Sequence, residues 1–197
     1  MSARKKEITK ADILPPAEYA KRRAAMRAEI VRKKKNRRIE VGPCATFYFE
    51  CYETMLQQVQ EMLHIEKGGE AQIADELHAY NPLIPKGHEL VATVMFEIDD
   101  PVRRANVLAR LGGVEETMFI KIGDDKIKGA PEPDQDRTNE QGKASSVQFV
   151  HFNFTPAQIA KFRAPGQMIL IGMEHPNYGH MAVIPDTMRA ELAGDFD

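Results

Sequence analysis

A chain of 197 residues, 43% hydrophobic and 28% charged, is long enough to bury a sizeable core and suits one globular domain, with or without an appended arm. No apolar run approaches the roughly 18 residues of a membrane-spanning helix, and no apolar segment follows the basic start MSARKKEITKADILPP, which argues against a secretory signal. Two cysteines, Cys44 and Cys51, are too few for a disulfide framework, so a cytoplasmic location is expected.

The net charge of −2 conceals a skew. Residues 1–38 hold 14 Lys and Arg against 4 Asp and Glu, and the remainder holds 13 against 25. A basic arm on an acidic body implies either a polyanionic partner or an arm folded back on its own body, and the second is the preferred reading. On this basis the chain divides into a basic helical arm, 1–40, and a single α+β domain, 41–197, organised around a helix over 46–66.

In chain order, Thr9 or Asp12 caps a short turn that Pro15-Pro16 stops. Ala17 to Lys35, free of Gly and Pro, predicts a helix with a thin apolar stripe of Tyr19, Met26 and Ile30. Val41-Gly42-Pro43 breaks the chain before the central helix. At about 100° per residue that helix gathers Tyr48, Tyr52, Met55, Leu56, Val59, Met62 and Leu63 on one side. Glu50, Glu53, Gln57, Glu61 and His64 share the other. Gly68-Gly69 ends it, and Glu70–Ala79 reads as a further helix.

The period then changes to two. Strands are predicted over 90–98, 116–122, 126–128, 145–154, 167–173 and 180–184, and a polar loop over 129–143. Short helices begin at Asp100-Pro101, Thr155-Pro156 and Asp186. The predicted fold is α+β: N-terminal helices followed by a mixed, largely antiparallel sheet with short helices packed on it. Several strand connections are too short for helical crossovers.

Chemistry-bearing residues fall into a few groups. Glu61 and His64 form a Glu-x-x-His pair; di-iron bundles carry two such pairs, and this chain carries one. A solvated or salt-bridged helix face is the preferred explanation, with the arginines of the preceding helix as one partner for it. His175 and His180 flank a tight turn beside Glu174, and His151 lies on a strand. Glu50, Glu53, Gln57, Glu61, His151, His175 and His180 therefore make a candidate polar cluster, with Glu61, His64, His175 and His180 as metal candidates. Gly142-Lys143-Ala144-Ser145 fails as a phosphate loop, because Arg137 stands where the first glycine is needed and a strand follows. Arg137 and Lys143 remain anion-binding candidates. Cys44 and Cys51, seven apart, match no zinc or redox spacing. The run Arg32–Arg38 fits a phosphate backbone but lacks interleaved aromatics.

The phrases ADILPPAEY at 11–19, RRIEVGP at 37–43, FYFECYETM at 47–55, QEMLHIEKGGE at 60–70, AYNPLIPKGHELVATVMFEIDD within 76–104 and GKASSVQF at 142–149 carry a resemblance. They resemble a bacterial family catalogued only as a domain of unknown function. The resemblance implies a redox context, since such proteins are often encoded beside a rubrerythrin-like di-iron protein and an iron–sulfur oxidoreductase. In that family the position of His64 is commonly arginine, which departs from the Glu-x-x-His idea and leaves Glu50, Glu53 and Glu61 without a nitrogen ligand. The expected function is thus a non-catalytic accessory or docking protein of an iron–sulfur and di-iron redox system. The alternatives are a small metal- or ligand-binding enzyme using the Glu/His cluster, and then a nucleic-acid binder acting through the basic arm. Neither reaction nor cofactor is assigned by these residues, and a homo-oligomer stays open.

Overall fold

Alternating apolar residues pair into sheet wherever the period is two. In the computed structural model, which describes residues 5–133 and 137–197, the strands are β1 (Arg38–Val41), β2 (Ala45–Phe49), β3 (Glu89–Phe96) and β4 (Met118–Ile122). β5 (Asp125–Pro131), β6 (Val147–Asn153), β7 (Ile169–His175) and β8 (Tyr178–Val183) complete them. They form one eight-stranded sheet in the order β1-β2-β3-β6-β5-β4-β7-β8. Every pairing among the described residues is antiparallel, so the expected mixed character resolves to one direction only.

The two ends of that order meet. The buried Tyr178 hydroxyl donates to the Val41 carbonyl (2.8 Å) and accepts the N–H groups of Cys44 (3.1 Å) and Ala45 (3.0 Å). One phenol on β8 thus clasps the β1–β2 turn and curls the sheet into a near-barrel. Burial pushes this phenol up to about 12. Gly42, in that turn, has φ +72° and lies so near β8 that a Cβ would stand 2.6 Å from the His180 ring, so only glycine fits.

The barrel interior is apolar apart from the buried Gln148 on β6: Phe47, Phe49, Leu90, Val94, Ile120, Val150, Phe152 and Ile171 are all essentially inaccessible. Each such side chain contributes about 1.5–3 kcal/mol through burial. Phe154, Phe162 and Phe196 add an aromatic cluster with centroids 4.9 to 5.7 Å apart.

Six helices surround the sheet among the described residues: α1 (Pro16–Lys34), α2 (Tyr52–Glu66), α3 (Gly69–Tyr80), α4 (Pro101–Leu108), α5 (Pro156–Arg163) and α6 (Asp186–Leu192). α2 covers the outside of β3, where Met55 and Val59 pack with Val91, Ile8, Leu83 and Ile84 in a second core. α1 lies along α2 and buries only Tyr19. None of these helices is long and apolar enough to cross a membrane.

The largest difference from expectation is the central helix. It starts at Tyr52, not residue 46, and Ala45–Phe49 is a strand. A short apolar run satisfies both periods, and here Thr46, Phe47, Tyr48 and Phe49 follow their β preference because β1 and β3 flank them. Tyr48, placed on the helix's packing side by periodicity, instead donates to Glu97 from β2 (2.8 Å). β1 went unread because it has four residues, one of them buried. Residues 1–4 of the predicted arm and 134–136 of the predicted loop lie outside the described residues.

Candidate functional site

The polar side of α2 is met by α1. Arg23 grips Glu61 in a two-pronged pair, Nε to Oε1 at 2.9 Å and Nη2 to Oε2 at 2.8 Å. Tyr19 donates its hydroxyl to the same carboxylate and accepts the Gln57 amide. Arg23, with Tyr19, holds the Glu61 carboxyl down at about 2, while burial and Glu61 push Tyr19 up to about 12. About two turns before Glu61, Lys33 reaches Glu53 (3.2 Å). Burial opposes ionisation of Glu53, yet backbone N–H and Lys33 hold its carboxyl below the usual range. The acidic stripe is therefore the seat of the basic arm. Glu50 precedes the helix and is buried, accepting the hydroxyls of Thr54 (2.6 Å) and Thr93 (2.7 Å).

Under this interface lies Arg37, fully buried although it belongs to the charged run. It donates to the carbonyls of Phe49 (3.0 Å) and Glu50 (2.9 Å), to Glu191 (3.1 Å), and to the buried Asp195. Burial alone would lower its pKa; the Asp195 carboxylate overrides that and holds it above the ordinary value. Nothing local in the sequence distinguishes Arg37 from its solvated neighbours.

The histidines do not converge on α2. Val150 and Phe152 point into the barrel, so His151 lies on the other face of β6. There its Nδ1 meets Glu89 on β3 (2.9 Å) and its Nε2 meets Glu132 just past β5 (2.7 Å). β5 and β4 separate it from β7. His175 faces the Gly112 carbonyl through Nε2 (3.2 Å), and its Nδ1 accepts the Asn177 N–H (3.2 Å). His180 packs edge-on against Tyr178, centroids 4.6 Å apart, and His64 packs edge-on against Tyr19 at 5.7 Å. Cys51 is buried, and burial pushes its thiol up; Cys44 is half-buried with its Sγ 3.6 Å from the Tyr178 hydroxyl.

Among the described residues no group of three or more His, Cys, Asp or Glu is placed to hold a metal ion. The Glu89–His151–Glu132 trio puts its carboxylates on opposite ring nitrogens, so the two cannot share an ion. Glu89 and Glu132 were missed in the sequence because only sheet pairing brings them to His151. Arg137 lays its guanidinium over Phe149, 4.5 Å from the ring centroid, whereas Lys143 stands exposed, so the two do not build one anion site.

The trio titrates in a defined direction. Burial opposes the charged imidazole, but Glu89 and Glu132 outweigh it, so the His151 pKa is raised in the fold. A raised pKa stabilises fully below the unfolded value, about 6.5, and the gain disappears as pH climbs through the folded value. Wild type should therefore exceed His151→Gln in urea midpoint most clearly below about pH 6.5, with the gap shrinking at higher pH. A gap that grows with pH would contradict the assignment.

The comparisons with known proteins agree with this architecture. A crystal structure at 1.90 Å of a novel protein of unknown function from Burkholderia pseudomallei K96243 is 36% identical. It superposes with a TM-score of 0.89, covering 96% of this chain and 99% of the other. Among curated proteins no sequence matches. The family model described as "Protein of unknown function (DUF3501)" matches residues 7–196, and the chain belongs to that family.

Proposed function

We propose that this is a non-catalytic accessory protein of the cytoplasm that docks an acidic partner on the outward side of α1. The observation that carries the reading is the division of that helix. Its inner line, Tyr19, Arg23 and Lys33, is committed to α2. Its outer line presents Lys21, Arg32 and Lys35, all exposed and in no ion pair among the described residues. Between them lie Ala24, Ala25 and Ala28, small enough for another backbone to approach closely, and Val31, which is 70% exposed.

Because the acidic stripe of α2 is occupied by the protein's own arm, the partner's complement is negative charge. The redox context of the family resemblance supplies the class, an iron–sulfur oxidoreductase or a rubrerythrin-like protein. Co-purification of the tagged chain with either protein from the same organism tests this. The partner should be retained at low salt by wild type and lost with Lys21→Glu, Arg32→Glu, Lys35→Glu combined. Retention by that variant, or preference for RNA over both proteins, would overturn it.

A further inference from the structure

A cleft of about 670 Å³ opens at the C-terminal end of α2, away from the outer line of α1. Its walls are apolar: Ile13 and Leu14 from the segment before α1, Leu63 from α2, and Ile73 from α3. The volume lies within the range of pockets that enclose small ligands, roughly 300–1,000 Å³. Most polar groups on its lining are already satisfied. The Tyr19 hydroxyl is taken by Glu61 and Gln57, Gln60 accepts the Leu14 N–H (2.7 Å), and Lys10 is taken by Glu70.

Two lining groups are uncommitted. His64 and Lys67 stand three residues apart at the mouth and make no hydrogen bond or ion pair among the described residues. Lys67 closes α2 in the left-handed conformation, φ 56°, so its side chain leaves from the turn between α2 and α3. An apolar slot thus ends in an ammonium and an imidazole. Since Lys10 occupies the lining's carboxylate, Glu70, the local complement is an anion.

We propose that this cleft binds a free amphipathic carboxylate, an acyl chain lying between Leu14, Leu63 and Ile73 with its carboxylate at Lys67 and His64. Burial of the tail supplies affinity, and the two cationic or N–H donors fix its direction. The apolar lining would hold an alcohol of the same chain length less tightly and would reject an amine at this end. The site is independent of the docking face, since it uses neither Lys21, Arg32 nor Lys35.

Calorimetric titration of the full chain with decanoate, decanol and decylammonium tests the proposal, with phospholipid vesicles as a separate arm. One saturable decanoate site is expected, roughly tenfold tighter than decanol. Lys67→Glu should weaken decanoate by a similar factor and leave decanol unchanged. Ile73→Glu should abolish both, its fold checked by circular dichroism; Lys67, being exposed, gives a readout that does not depend on that check. Absence of saturable decanoate binding at about 1 mM, equal binding of decylammonium, preferential binding to vesicles, or indifference to Lys67→Glu would each overturn it.

Discussion

Arg37→Ala should cost about 3–5 kcal/mol of folding stability, the range seen when one member of a buried ion pair is removed. The guanidinium is fully inaccessible and ties the exit of α1 to the β2–α2 turn and to the segment after α6. Without it the Asp195 carboxylate stays buried with its main cation gone, and the Phe49 and Glu50 carbonyls lose their donors. Urea unfolding at neutral pH measures the loss. The double variant Arg37→Met, Asp195→Leu should recover part of it, since that pair removes both buried charges and leaves the two carbonyls and the partly exposed Glu191 without the guanidinium. A loss under about 1 kcal/mol would mean that the pair contributes no more than a surface bridge.

Tyr178→Phe should cost about 2–4 kcal/mol, because the phenol serves three backbone groups at once and the buried ones have no water to replace it. The ring's packing is conserved in the variant, so the loss isolates the hydroxyl. Hydrogen exchange should accelerate in β1, the following turn and β8, while β3 and β6 keep their protection. Uniform acceleration across the sheet would contradict the clasp.

Much of this fold was legible where local pattern and partner agreed. Asp100-Pro101 and Thr155-Pro156 start helices as read: the side chains of Asp100 and Thr155 accept the N–H groups of Arg103 and Gln158. The alternation in Val147–Asn153 produced a strand with Gln148, Val150 and Phe152 inward. Thr46–Phe49 went astray because its apolar residues fit both periods and the arbiter, pairing with β3, lies more than forty residues away. The same distance hid the site chemistry. Nothing near His151 predicts Glu89 or Glu132, and nothing within Arg32–Arg38 predicts that Arg37 turns inward. The stripe Glu53, Gln57, Glu61 was readable as a set because helical spacing is local, and its partner, the basic helix before it, followed from charge alone.

That division of α1 into an anchored inner line and a presented outer line is the centre of the account. The direct measurement is a binding titration of the purified iron–sulfur oxidoreductase against wild type and the variant Lys21→Glu, Arg32→Glu, Lys35→Glu, between roughly 50 and 500 mM salt. Wild type should bind at low salt and weaken steadily as salt screens the contact, while the variant should not bind at any salt yet unfold at the same urea midpoint. Equal binding by both proteins, or binding that salt leaves unchanged, would contradict the account.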